Sequence, residues 1–107
     1  MSIKDEREEH MLTELAARYV AREAGRESLI TPTRTILSKN RRNATIFVSV
    51  YPNEATDLAL AFLTRHKDLF REDLKKTSRL ARLPYITFEL DRGERNRQRL
   101  DELSREL

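Results

Sequence analysis

The chain has 107 residues with 21 Lys plus Arg, 18 Asp plus Glu and no Cys, a length that suits one domain and a composition that excludes disulfides, thiolate chemistry and zinc ribbons together. Leu, Ile, Val and Phe supply 27 residues, enough for a core, while only 2 Gly and 3 Pro exclude a collagen-like or low-complexity chain. No apolar run approaches the ~20 residues that cross a bilayer, and Lys4, Asp5, Glu6, Arg7, Glu8 and Glu9 follow the start instead of a signal sequence, so a cytoplasmic protein without a membrane partner is expected.

From Glu6 to Ala24, Met11, Leu12, Leu15, Ala16, Tyr19 and Val20 fall at helical spacing, with acids early and Gly25 placed to stop the helix. Ile30 to Ser38 is rich in Thr and Ile and reads as a strand, which Pro32 confines to an edge or to a strand's beginning. After the polar connection Lys39 to Asn43, Ala44, Ile46, Val48 and Val50 alternate with Thr45, Phe47, Ser49 and Tyr51 in a second strand ended by Pro52. Asn53 then fits a helix N-cap, with Glu54 and Asp57 in the first turn where the macrodipole favours acids. Leu58, Ala59, Phe62, Leu63, Leu69, Phe70 and Leu74 keep helical phase to about Thr77. The phase crosses His66, Lys67 and Asp68 without Gly or Pro, which leaves one long helix or two helices meeting there. Pro84 opens a third strand, Tyr85 to Leu90, with Ile86, Phe88 and Leu90 on its apolar face. A last helix over 94–106 carries the narrow stripe Leu100, Leu103 and Leu107 and is expected to fray, as are residues 1–5.

The order α, β, β, α (or α-α), β, α describes an α+β two-layer domain over 1–107, with helices on one sheet face and the other face open to water or a partner. The residues Ile46, Val48, Val50, Ile86, Phe88 and Leu90 are expected to face the helices. Phe47, Tyr51 and Tyr85 lie on the polar sides of their strands, available for base stacking or for packing under a helix.

Charge is distributed unevenly. Residues 1–29 carry 5 basic and 7 acidic groups, 30–53 carry Arg34, Lys39, Arg41 and Arg42 with no acid, and 65–82 carry 7 basic against 3 acidic groups. The candidate nucleic-acid contacts are therefore Lys39, Arg41 and Arg42 at the tip joining the first two strands, with Arg65, Lys67, Arg71, Lys75, Lys76, Arg79 and Arg82 along and beyond the second helical region. Clustered cations neutralise phosphates and release condensed counterions, gaining affinity without exact base geometry. The same cations also suit a merely solvated face. His10 and His66 are isolated, no glycine-rich phosphate loop exists around Gly25 or Gly93, and the carboxylates are interspersed with Lys and Arg, so no catalytic residue, metal site or cofactor is expected.

Several strings together resemble the ribosome-binding factor A family. Thr33, Arg34, Leu37, Ser38-Lys39-Asn40 and Ala44-Thr45-Ile46-Phe47-Val48-Ser49-Val50 look like its first hairpin. Leu69-Phe70-Arg71 with Leu74, then Arg79-Leu80-Ala81-Arg82-Leu83-Pro84 and Ile86-Thr87-Phe88, resemble its second helix and entry into the third strand. Asp91 and the Arg99-Leu100-Asp101 region follow in the family's order. Family members place a short A-x-G kink where this chain has His66, Lys67 and Asp68, Gly93 stands where a Ser is usual, and the start is acidic where members are basic.

The resemblance, which covers residues 30–107, implies a type II KH-like fold. It also implies a non-catalytic factor that binds 16S rRNA on the small (30S) ribosomal subunit and assists its maturation, acting as a monomer without a small-molecule substrate. The alternative reading is a protein-interaction module on the same fold whose charges only solubilise it, and a small hydrolase or phosphatase stands third.

Overall fold

Apolar residues at helical spacing build the first element, α1 (Ile3–Glu23), in a computed structural model that describes residues 3–26 and 28–93. Leu12, Ala16, Tyr19 and Val20 form its buried stripe. Asp5 and Glu6 in the first turn and Arg22 in the last match the helix dipole. The helix stops before Gly25, which has no left-handed φ; its end is closed by the Ala24 N–H donating to the Val20 carbonyl at 2.8 Å.

Three strands follow the expected segments closely: β1 (Leu29–Leu37), β2 (Asn43–Tyr51) and β3 (Tyr85–Leu90). Their order is β1-β2-β3, with β1 and β2 an antiparallel hairpin and β2 and β3 parallel. A parallel pair needs a long crossover, and α2 (Thr56–Thr77) supplies it. Pro32 lies on the edge strand, where its missing N–H interrupts no interior ladder.

The inner sheet face carries α1 against β1 and α2 against β3. Ile46, Val48, Val50 and Ile86 are buried as expected, and Phe88 and Leu90 pack half-buried at the edge of the core. One group of core residues joins Leu12, Tyr19, Ile46, Phe70, Leu74 and Ile86; a second joins Val20, Ile30, Val48, Val50, Ala59 and Leu63, and Phe88 touches both.

Strand β1 departs from simple alternation. Pro32 pairs with Val48 and Arg34 with Phe47, so Thr33 is the extra residue of a bulge. Ile30 and Pro32 therefore face inward before it and Thr35 and Leu37 after it, while Arg34 and Ile36 face out.

The start of α2 corrects the capping expectation. Asn53 does not cap the helix with its side chain; Asn53–Ala55 forms a 3-10 turn and α2 begins only at Thr56. The extended Pro52 precedes that turn, and the Thr56 hydroxyl donates to the Asn53 carbonyl at 2.7 Å, so Asn53 contributes backbone in place of its amide. Helix α2 then runs unbroken through His66, Lys67 and Asp68. Among the described non-glycine residues the single positive φ belongs to Arg41, so the A-x-G kink of the family pattern is not reproduced at Asp68.

Across the helix pair, the Tyr19 hydroxyl lies 2.7 Å from His66 Nδ1, and His66 stacks on Phe62 with centroids 4.2 Å apart. Burial, with Glu23 and Asp73 nearby, raises the Tyr19 phenol above its ordinary pKa. The expected helix over 94–106 lies outside the described residues.

Candidate nucleic-acid interface

The hairpin tip is ordered by its own side chains. The Ser38 hydroxyl and the Arg42 N–H both donate to the Asn40 amide oxygen, at 2.7 and 3.0 Å. The Arg41 N–H closes back on the Ser38 carbonyl at 2.9 Å. This turn puts Arg41 at φ 61°, which costs a non-glycine residue roughly 1 kcal/mol or more. Ion pairs from Arg41 to Asp5 and Glu8 of α1 hold it there. Arg41 is thus spoken for inside the protein, while Lys39 and Arg42 are exposed.

On the other side, the connection from α2 to β3 is tied down by Arg71. Its guanidinium donates to the Leu83 and Pro84 carbonyls, both at 3.0 Å, and lies 4.6 Å from the centroid of the Tyr85 ring. The Tyr85 N–H donates to the Arg42 carbonyl at 2.8 Å, which joins this connection to the hairpin tip. Arg71→Gln removes the two-pronged donor and leaves both carbonyls without it. A loss of about 1–3 kcal/mol follows, visible as a lower Tm; an unchanged melt would deny the tether.

Between tip and connection lies a cleft of about 870 Å³. Arg41, Arg42, Arg71, Arg79 and Arg82 line it together with Tyr85, so half of the ten candidate cations converge on one concavity. Arg42, Arg79 and Arg82 are exposed and their side chains enter no ion pair among the described residues. Glu8 also lines the cleft, its carboxylate engaged by Arg41.

The other five candidates do not join them. Arg65 and Lys76, about three helical turns apart, share the outward face of α2 with the exposed Leu58 and Leu69. Lys67 is exposed on the same helix two residues after Arg65, and Lys75 is paired with Glu72 at 3.0 Å. Lys39 projects from the tip outside the cleft lining. Of the histidines, His10 faces Glu14 at 3.1 Å on the surface of α1 and His66 sits in the helix interface.

Phe47, Tyr51 and Tyr85 lie on the sheet face away from the helices. Phe47 carries the Arg34 guanidinium 4.1 Å from its ring centroid, and Arg34 Nε is 3.6 Å from Asp91. Asp91, buried after β3, also accepts the Thr33 hydroxyl at 2.6 Å. Sequence reasoning missed this lock and missed Arg71 as a tether, because their partners are distant in sequence and leave no local periodic signal. It missed the capture of Arg41 as well; the acidic start was the one hint.

The model of the ribosome-binding factor A family matches residues 4–104. A ribosome-binding factor A from Thermosipho africanus (strain TCF52B) is 35% identical over 79 residues, which span 73% of this chain and 63% of that relative. The crystal structure of ribosome-binding factor A from Thermus thermophilus superposes with a TM-score of 0.71 at 23% identity, covering 80% of this chain and 94% of that one. A Thermus thermophilus ribosome binding factor A homology model, fitted into the cryo-EM map of a 30S complex, gives 0.66 at 23% identity, covering 78% and 91%. The fold is accordingly the KH-like α+β fold that the resemblance implies.

Proposed function

The chain belongs to the ribosome-binding factor A family, and from that premise we propose that it docks on the small ribosomal subunit, binds 16S rRNA and assists its maturation without covalent chemistry. The observation that carries this reading is the convergence of Arg42, Arg79 and Arg82 on one cleft, from a hairpin tip and a connection far apart in sequence. Surface cations dispersed for solubility have no reason to meet in a concavity; cations that grip phosphates do. The 30S complex of a structural relative supports the choice of partner. Binding would hold one rRNA conformation until maturation displaces the factor, which requires only different affinity for the two conformations.

The test is association with purified small subunits across a salt series. For about three phosphate contacts, log affinity falls against log salt with a slope of roughly −2 on single-stranded sites. A salt-insensitive association would overturn the phosphate reading. It would direct attention to the outward face of α2, where exposed Leu58 and Leu69 favour a protein contact.

A further inference from the structure

Tyr85 gives the arginine cleft a feature that phosphate binding does not need. Of the three aromatic residues on the outer sheet face, Tyr85 lines the cleft, whereas Tyr51 borders a separate hollow beside the end of α1 and Phe47 lies under Arg34. Tyr85 is 64% exposed. It is also held in place: Arg71 lies over it while anchored to the Leu83 and Pro84 carbonyls, and the Tyr85 backbone is bonded to Arg42. A rigid exposed ring ringed by cations suits a ligand that brings a flat apolar face and negative charge together.

A nucleotide does so only when its base has left the stack. In a continuous A-form duplex the base faces are covered by their neighbours, and side chains reach mainly phosphates and 2′-hydroxyls. Resting on the rRNA-binding reading above, we propose that the cleft takes an unstacked nucleotide of single-stranded or bulged RNA, its base on Tyr85 and its flanking phosphates on Arg42, Arg79 and Arg82. The ring gives affinity for any base, since every base has a π face, and the arginines track the backbone. The cleft thereby selects RNA by strandedness.

The probe is a fluorescent oligouridylate of about ten nucleotides, within the site sizes that single-strand readers cover, compared with the same oligomer made abasic at its centre and with a blunt-ended RNA duplex without loop or bulge. Tyr85→Ala is expected to weaken oligouridylate binding roughly five- to hundredfold, the range that removal of one base–aromatic stack produces. Tyr85→Phe should bind as wild type, and duplex affinity should be the same in all three proteins. The wild-type protein should also bind the abasic oligomer more weakly by a similar factor, a reading that needs no folded variant. Oligouridylate binding unchanged in Tyr85→Ala, or equal wild-type affinity for the abasic oligomer, overturns the proposal. If the Arg42→Glu, Arg79→Glu, Arg82→Glu protein then still loses RNA, the phosphate reading survives and only the stacking fails. If it binds as wild type, both fall.

Discussion

Replacing Arg42, Arg79 and Arg82 together by glutamate is expected to abolish association with small subunits while leaving Tm nearly unchanged. All three side chains are exposed and make no ion pair among the described residues, so the folded state loses little when their charge is reversed. The cleft, by contrast, changes its charge by −6, since each arginine-to-glutamate change subtracts two and three are made. Of the cleft's arginines only Arg41 and Arg71 would remain, the first engaged by Asp5 and Glu8 and the second by the Leu83 and Pro84 carbonyls, so phosphates would face three new carboxylates there. Arg41→Glu belongs to a different class. It would set a third carboxylate against Asp5 and Glu8 at the position with φ 61°, and is expected to lower Tm as well as binding. A triple variant that co-sediments with small subunits as wild type does would refute the cleft as the rRNA contact.

Val48→Asp is expected to leave the chain unfolded. Val48 is 0% exposed on the central strand, among Val20, Ile30, Val50, Ala59 and Leu63, and no cation in that group is available to pair with a carboxylate. An unpaired buried charge costs several kcal/mol, against a total stability of ~5–15 kcal/mol for a small domain. Circular dichroism without a cooperative thermal transition would be the signature. The neighbouring Phe47→Ser, on the opposite sheet face, should keep that transition, because a substitution there opens no cavity in the core. A folded Val48→Asp protein would contradict the assignment of the core.

Several features were legible in the residues alone because they depend on neighbours close in sequence. The strict alternation of Ala44 to Val50 and of Ile86 to Leu90 showed which side chains face the helices, since a strand presents successive residues to opposite sides. The continuous apolar phase from Leu58 to Leu74, with no Gly or Pro, was compatible with the single α2 observed. Local signals failed where geometry turned on one residue. The bulge at Thr33 inverts the parity of β1, and Asn53 reads as a cap although the extended Pro52 ahead of it opens a 3-10 turn and delays α2.

By itself the sequence determined the three strands and the helical segments before and after the hairpin, leaving open a break at 66–68, together with the inward faces of β2 and β3, the two basic segments and the family resemblance, all of which follow from periodicity and short strings. Only the tertiary structure decided where the cations stand and which of them the fold itself engages. It withdrew Arg41 to Asp5 and Glu8, turned Arg71 into a tether of the 78–84 connection, spread Arg65, Lys67 and Lys76 over the exposed surface of α2, and brought Arg42, Arg79 and Arg82 to one cleft beside Tyr85. The physical reason is that a charge acts through distance in space. The parallel pairing of β2 with β3 sets the start of β3 beside the hairpin tip across more than forty residues of chain, and nothing in the local pattern of either segment records that meeting.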